Sequence, residues 1–327
     1  MATVSEGLLQ LRNAVRADLS LLEAGDKIII ACSGGADSVA LAYALSLEAP
    51  KLALSLSAVT IDHGLQPHSE DVASACVKLL AALNIPTEII RVKVAGAGGI
   101  EAAARDARYV ALASHGEKIG AVAIYLAHSL DDQAESVLLG LARGSGPRSI
   151  AGMAAVNGIY RRPALSIRRS QLQSVAAEIV AAEVGEIFED PMNTDLHFLR
   201  VKIRHELLPA MEEALGGGVS EALARTALLI QEDLAALDSG AAEHLAGNPD
   251  LEVATLAALP KAIRTRVLRL ALLAAGLDGG LLTFDQLERG DQLLVDWRGQ
   301  GEIALPGGLS LARKSGRLIL SPPKAGK

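Results

Sequence analysis

Two runs of residues in this chain have the types and spacing for chemistry, and two shorter motifs stand beside them. The first run is Ser33-Gly34-Gly35-Ala36-Asp37-Ser38, set between the apolar stretch Ile28-Ile29-Ile30 and a second apolar series, Val39, Leu41, Ala42 and Leu45. It reads as a turn from a buried strand into a helix. Its glycines let the backbone approach a ligand closely, and the free N–H groups of the following helix favour an oxyanion such as phosphate. The second run spans residues 127–146, AHSLDDQAESVLLGLARGSG, and opens a helix with Asp131, Asp132 and Glu135. Helix capping accounts for one or two acids at such a position. Three together can hold a divalent cation, bind a cationic substrate, or take a proton from an attacking amine. Asp62-His63 and His128 are shorter signals, and Asx-His-Gly is also ordinary turn chemistry.

These residues need elements to position them. Residues 5–24 read as an amphipathic helix, and strands are predicted at 28–30, 52–61, 87–94 and 121–127, with helices from about Ser38, over 69–84 and over 100–119. Alternating strands and helices predict an α/β fold, a parallel sheet with helices on both faces. Ligands in such sheets lie beyond the carboxyl ends of the strands, where the Ser-Gly-Gly turn, Asp62-His63 and His128 all fall. Asn84-Ile85-Pro86 stops one helix, and Arg143 to Pro147 is a Gly-rich stop after another.

Composition narrows the function classes. The chain has 327 residues, half of them hydrophobic, so two domains with a substantial core are expected. Aromatic residues make up 2% and the formal net charge is −7, so nucleic-acid binding has to rest on local arginines and lysines. Two cysteines, Cys32 and Cys76, with no C-x-x-C, fit a reducing compartment rather than a zinc or disulfide framework. His63 and His68 are not at a convincing spacing for a metal site. With no apolar leader and no uncharged apolar run of ~20 residues, a cytoplasmic protein without membrane contact is expected.

Neither G-x-x-x-x-G-K-S/T nor G-x-G-x-x-G occurs. SGGADS instead resembles the pyrophosphate loop of the N-type ATP pyrophosphatases, matching at Ser33, Gly34, Gly35, Asp37 and Ser38. That resemblance implies ATP, and Mg2+ beside Asp37, because a carboxylate next to phosphates needs a cation between them. SGGADS, DHGLQPHSED, EAAARDARY, AHSLDDQAESVLLGLARGSG, RRPAL and EDPMNTDLHFLRVKIRHELLP, taken in order over residues 27–210, resemble the tRNA(Ile)-lysidine synthetase family.

The resemblance implies an adenine-nucleotide alpha-hydrolase-like PP-loop domain. It also implies a two-step ligation on the wobble cytidine of tRNA(Ile) with a CAU anticodon. ATP adenylates the C2 carbonyl oxygen, then free L-lysine attacks C2 and expels AMP, giving lysidine. Under it Ser33, Gly34, Gly35, Ala36, Asp37, Ser38, Asp62, His63 and Arg105 contact the nucleotide, and Asp37, His128, Asp131, Asp132, Glu135, Arg200 and Arg204 serve catalysis. The chain departs from the family at Ser129, where a second His is usual, at Val201, where Asn follows the arginine, and at Met192, where Ser is more usual.

By the spacing alone, Glu101 and Arg105 are an ordinary i, i+4 pair. His197, Arg200 and Arg204 would share one face of a helix whose apolar side carries Leu196, Leu199, Ile203 and Leu207. Arg161 and Arg162 with Arg168 and Arg169 form a second local basic patch. Gly216 to Gly218 mark the expected boundary between a catalytic domain, 1–215, and a smaller α+β domain, 216–327. In the latter, helices are predicted over 220–245 and 256–275, the second bearing Lys261, Arg264, Arg266 and Arg269, followed by strands near 301–306 and 316–320. This part is expected to dock tRNA, and the oligomeric state stays open, a homodimer included. Two other readings stand beside ligation. One is another PP-loop reaction such as tRNA thiolation or amide ligation, against which the wide sequence separation of the cysteines argues. The other is a non-catalytic ATP-binding module.

Overall fold

A computed structural model of the chain describes residues 5–64, 69–94, 99–144, 146–182, 184–188 and 190–321, the side chains of residues 100 and 101 excepted. It divides into two compact units, Met1–Gly144 with Ser149–Ala227, and Ser145–Arg148 with Leu228–Lys327.

The first unit opens with α1 (Glu6–Leu19), whose N-cap Ser5 accepts the Leu8 N–H and whose Leu8, Leu11, Val15 and Leu19 form one buried stripe. Then come β1 (Lys27–Ala31), α2 (Ala36–Glu48), β2 (Ser55–Asp62), α3 (Ser69–Ala82), β3 (Thr87–Arg91), α4 (Ile100–Ile119), β4 (Ala121–Tyr125) and α5 (Leu130–Arg143). After α5 come the single turn α6 (Pro147–Ile150), the hairpin β5 (Val156–Asn157) and β6 (Tyr160–Arg161), and α7 (Arg169–Ala181). The sheet order is β3-β2-β1-β4-β6-β5, parallel throughout except for the edge strand β5.

Strand alternation divides the core between two faces. Ile28 and Ile30 of β1 point into a cluster with Leu11, Leu41, Leu45 and Leu172, while Ile29 between them joins Val59, Leu112 and Ile124 on the other side. Helices therefore cover both faces, as the pattern predicted. The predicted strand from 52 starts later, at Ser55, because Ala49–Leu52 forms a 3-10 turn and Ala53 takes a left-handed backbone, φ 54°. At the far end of α2, Glu48 is buried and accepts from Arg12, Arg16 and Lys51, which fixes α1 to α2.

The stretch predicted as one basic, amphipathic helix is less regular. It contains α8 (Leu199–Lys202), a π-helical turn over Ile203–Leu207 and α9 (Leu208–Leu215). His197 precedes the helix, is almost fully exposed and pairs with Asp195. Leu196, Leu199 and Leu207 are exposed, and only Ile203 of that series is buried. α10 (Val219–Gly247) follows the three glycines.

In the second unit, α11 (Val253–Ala257) and α12 (Lys261–Ala274) replace the single helix predicted over 256–275. Pro260 separates them, since proline offers no N–H and restricts the residue before it. α13 (Phe284–Val295) packs on α12. β7 (Ile303–Ala304), β8 (Ser310–Lys314) and β9 (Arg317–Ser321) then form an antiparallel sheet in sequence order. Leu256, Val267, Leu268, Leu293, Leu311 and Leu318 build its core. The basic stripe of α12, expected to dock tRNA, is engaged inside this unit. Arg264 pairs with buried Asp291, Lys261 with Glu288 and Arg266 with Asp238, and Arg269 donates to the Gly279 carbonyl.

Candidate active site

The Ser33–Ser38 loop leaves the carboxyl end of β1. Gly34 takes φ 83°, a left-handed backbone that favours glycine. The Ser38 hydroxyl donates to the Gly35 carbonyl and accepts the Ser33 N–H, stapling the loop, while the Phe188 N–H holds the Gly34 carbonyl at 3.0 Å. No side chain caps α2 at Gly35, which leaves its first-turn N–H groups facing outward for an oxyanion. Cys32 and Cys76, distant in sequence, meet beneath this loop with their sulfurs 3.7 Å apart, both buried.

α5 is capped in the opposite way. The Ser129 hydroxyl accepts the Asp132 N–H while the Asp132 carboxylate accepts from Ser129, a reciprocal capping box. Asp131, Asp132 and Glu135 then gather basic partners. Asp131 accepts the Arg169 backbone N–H at 2.7 Å and an Arg168 guanidinium nitrogen at 3.1 Å. Asp132 accepts from Arg169 at 2.5 Å and Arg204 at 3.5 Å. Glu135, wholly buried, takes Arg204 at 2.7 and 3.2 Å and Arg169 at 3.2 Å. Asp37 joins the same group through Arg169 at 3.3 Å. Burial pushes Asp37 up to about 6 against the pull of Arg169, with Asp132 adding to the rise. For Asp132 burial is outweighed by Arg169 and the Ser129 N–H, which hold it below the usual carboxylate range.

On the side of β2 and α4 the site turns basic. His63 and His128 each have a buried Nδ1 with no hydrogen-bond partner, and so does Nε of Arg108 and of Arg162. The Arg105 and Arg108 guanidiniums lie 5.3 and 5.5 Å from the Tyr109 ring centre, and Arg162 donates to the Tyr109 hydroxyl at 3.4 Å. Burial drives His128 down to about 3, Asp132 opposing and the three arginines adding to the fall, so the ring is neutral at physiological pH. Burial and Arg108 likewise lower His63.

Of the residues singled out from sequence, Ser33 to Ser38, Asp131, Asp132, Glu135 and Arg204 come together. Asp62 sits at the strand end, but its oxygens serve the Gly64 N–H, Ser69 and Arg91, so it closes its own turn. Arg200 reaches the Ser136 hydroxyl at 3.3 Å, beside the cluster. Glu101 and His68 lie outside the described residues, the former by its side chain. The expected basic patch of Arg161, Arg162, Arg168 and Arg169 is not a patch. Arg161 pairs with Asp18, buried Arg162 faces Tyr109, and Arg168 and Arg169 enter the carboxylate cluster. Arg169, placed from sequence in that patch only, is where sequence reasoning missed a role in the cluster. Its signal was an arginine at a helix start, where an unfavourable dipole calls for compensating acids.

Two domain families match the chain, a PP-loop domain over residues 8–211 and a TilS substrate binding domain over residues 251–319. The tRNA(Ile)-lysidine synthase of Streptomyces coelicolor is 50% identical over 301 residues, 90% of this chain and 84% of that one. That of Thermobifida fusca is 47% identical over 315 residues, 95% of this chain and 96% of that one. The chain belongs to the tRNA(Ile)-lysidine synthase family. Among solved structures, a U34-tRNA thiolase from Methanococcus maripaludis matches with a TM-score of 0.58 at 18% identity, covering 69% of this chain and 80% of that one, a likeness of fold. The expected parallel-sheet PP-loop fold with a smaller C-terminal domain is thus borne out.

Proposed function

We propose that this enzyme joins free L-lysine to C2 of the wobble cytidine of tRNA(Ile) bearing a CAU anticodon, through an adenylated cytidine, with release of pyrophosphate and then AMP. The observation that carries the reading is the meeting of the phosphate loop with the α5 carboxylates around Arg169 in a chain of this family. The uncapped start of α2 and the glycines of the loop receive the ATP phosphates. Asp37 fits Mg2+, since its Oδ1 is buried without a hydrogen-bond partner beside that loop. Bound there, Mg2+ would neutralise phosphate charge, its other ligands coming from the nucleotide and water.

Asp37, Asp131, Asp132 and Glu135 meet the guanidiniums of Arg168, Arg169 and Arg204, and Arg168 is shared further with Glu221 and Glu212, so carboxylates outnumber guanidiniums and the surplus is negative. A lysine ammonium matches that surplus. Its amine, which in water titrates at ~10.4, must lose a proton before attack, and the cluster both binds the ammonium and accepts that proton. Both carboxylates are engaged by arginines, but Glu135 is wholly buried while Asp131 is partly exposed, so Asp131 is the favoured acceptor. The positive wall of Arg105, Arg108 and Arg162 suits the anionic partners, nucleotide and tRNA backbone. Residues 1–215 act as the catalytic domain and 216–327 dock the tRNA, in the cytoplasm. The cysteines are buried beneath the loop, which disfavours thiolation.

Pyrophosphate release tests the assignment. Under multiple turnover it should require both a CAU transcript and lysine. Release with either one absent, at an unchanged rate, would refute it.

A further inference from the structure

Arg169 occupies a position with no counterpart among the described residues. It is the first residue of α7, its side chain is 14% exposed, and every guanidinium nitrogen is engaged. Nε donates to Asp37 on α2, while Nη1 and Nη2 donate to Glu135 and Asp132 on α5, and its backbone N–H binds Asp131. Arg204 serves Glu135 and Asp132 but makes no hydrogen bond to Asp37. Among the described residues, Arg169 alone hydrogen-bonds both the phosphate-loop acid and the α5 acids.

The physics of that arrangement is demanding. α2 and α5 each bring acids in their first turn to one buried spot, where unpaired carboxylates repel and are poorly solvated. A planar guanidinium can bind three carboxylates in fixed directions, whereas a lysine ammonium is a point charge on a flexible stem. Arg169 binds Oδ2 of Asp37, while Oδ1 has no hydrogen-bond partner.

We propose that Arg169 is a positioning residue that locks the phosphate loop to the α5 carboxylates, so that adenylation and lysine transfer share one internal counter-ion. The inference rests on the ligase reading above. It implies that Arg169, though it sits among the carboxylates assigned to lysine, governs the ATP step as strongly as the lysine step.

The test compares wild type, Arg169→Ala and Arg169→Lys in two assays: single-turnover pyrophosphate release with tRNA and ATP but no lysine, and lysidine formation with lysine added. Both rates should fall by about 100-fold or more in Arg169→Ala, the scale of a misplaced reacting group. Added guanidinium should restore both together, and the same concentration of ammonium should not, a response that a merely structural role would not give. Arg169→Lys keeps the charge and guards against misfolding; it should melt near wild type and remain slow in both assays. Wild-type pyrophosphate release by Arg169→Lys, or loss confined to the lysine step, would overturn the inference. A wild-type protein that forms no lysidine would instead refute the ligase reading itself.

Discussion

The hydroxyl of Ser129 lies 2.8 Å from Oδ2 of Asp132 and donates to it, while the Ser129 backbone N–H donates to the same oxygen at 2.8 Å. The serine that departs from the family pattern is therefore wholly buried and fixes the orientation of a site carboxylate. Ser129→Ala is expected to lose about 1 kcal/mol of stability, the usual worth of an N-cap, and to raise the KM for lysine more than it lowers kcat. Ser129→Thr should keep most of both. Equal stability and equal lysine KM in Ser129→Ala would remove this residue from the account.

Glu135→Gln takes one charge from a fully buried carboxylate that pairs with Arg169 and Arg204. Breaking a buried pair this way costs about 3–5 kcal/mol in general. The variant should still bind ATP and release pyrophosphate but fail in lysine transfer, and its urea midpoint should fall clearly. Normal lysidine formation would exclude Glu135 from the mechanism.

Asp37 gives a pH-dependent prediction with a defined sign. Its folded-state value, raised by burial to about 6, lies above the ordinary carboxylate value, so the fold prefers its protonated form. Its contribution to stability is therefore favourable below the unfolded value and is lost as pH rises through about 6. Asp37→Asn should stabilise the ligand-free protein at pH 7 by on the order of 1–3 kcal/mol, and much less at pH 4. It should also abolish adenylation. Urea unfolding of both proteins at the two pH values measures this, and an equal difference at both would contradict it.

Much of the fold was legible because its signals are local. Three successive isoleucines, two glycines and an apolar helix define β1, the loop and α2 with no help from the rest of the chain. The carboxylates of α5 were equally visible, since helix starts concentrate acids. What compensates them was not. Arg169 and Arg204 lie 34 and 69 residues from Glu135, and only the tertiary fold brings them there. His197 lies before the helix that starts at Leu199 and so stays in solvent, while the π-turn over Ile203–Leu207, which holds Arg204, breaks the 3.6-residue period on which the expected basic face depended. The acidic partners of the basic run of α12 were hidden for the same reason: Asp238, Glu288 and Asp291 come from other helices of that unit.

The most direct test of the central claim is incorporation of radiolabelled lysine into an unmodified tRNA(Ile) transcript with a CAU anticodon, using purified protein, ATP and Mg2+, with Asp37→Ala as control. Lysine counts should enter the RNA with wild type, depend on the cytidine at the wobble position, and vanish with the control. ATP binding without any lysine in the RNA would contradict the ligase assignment and leave only the phosphate loop standing.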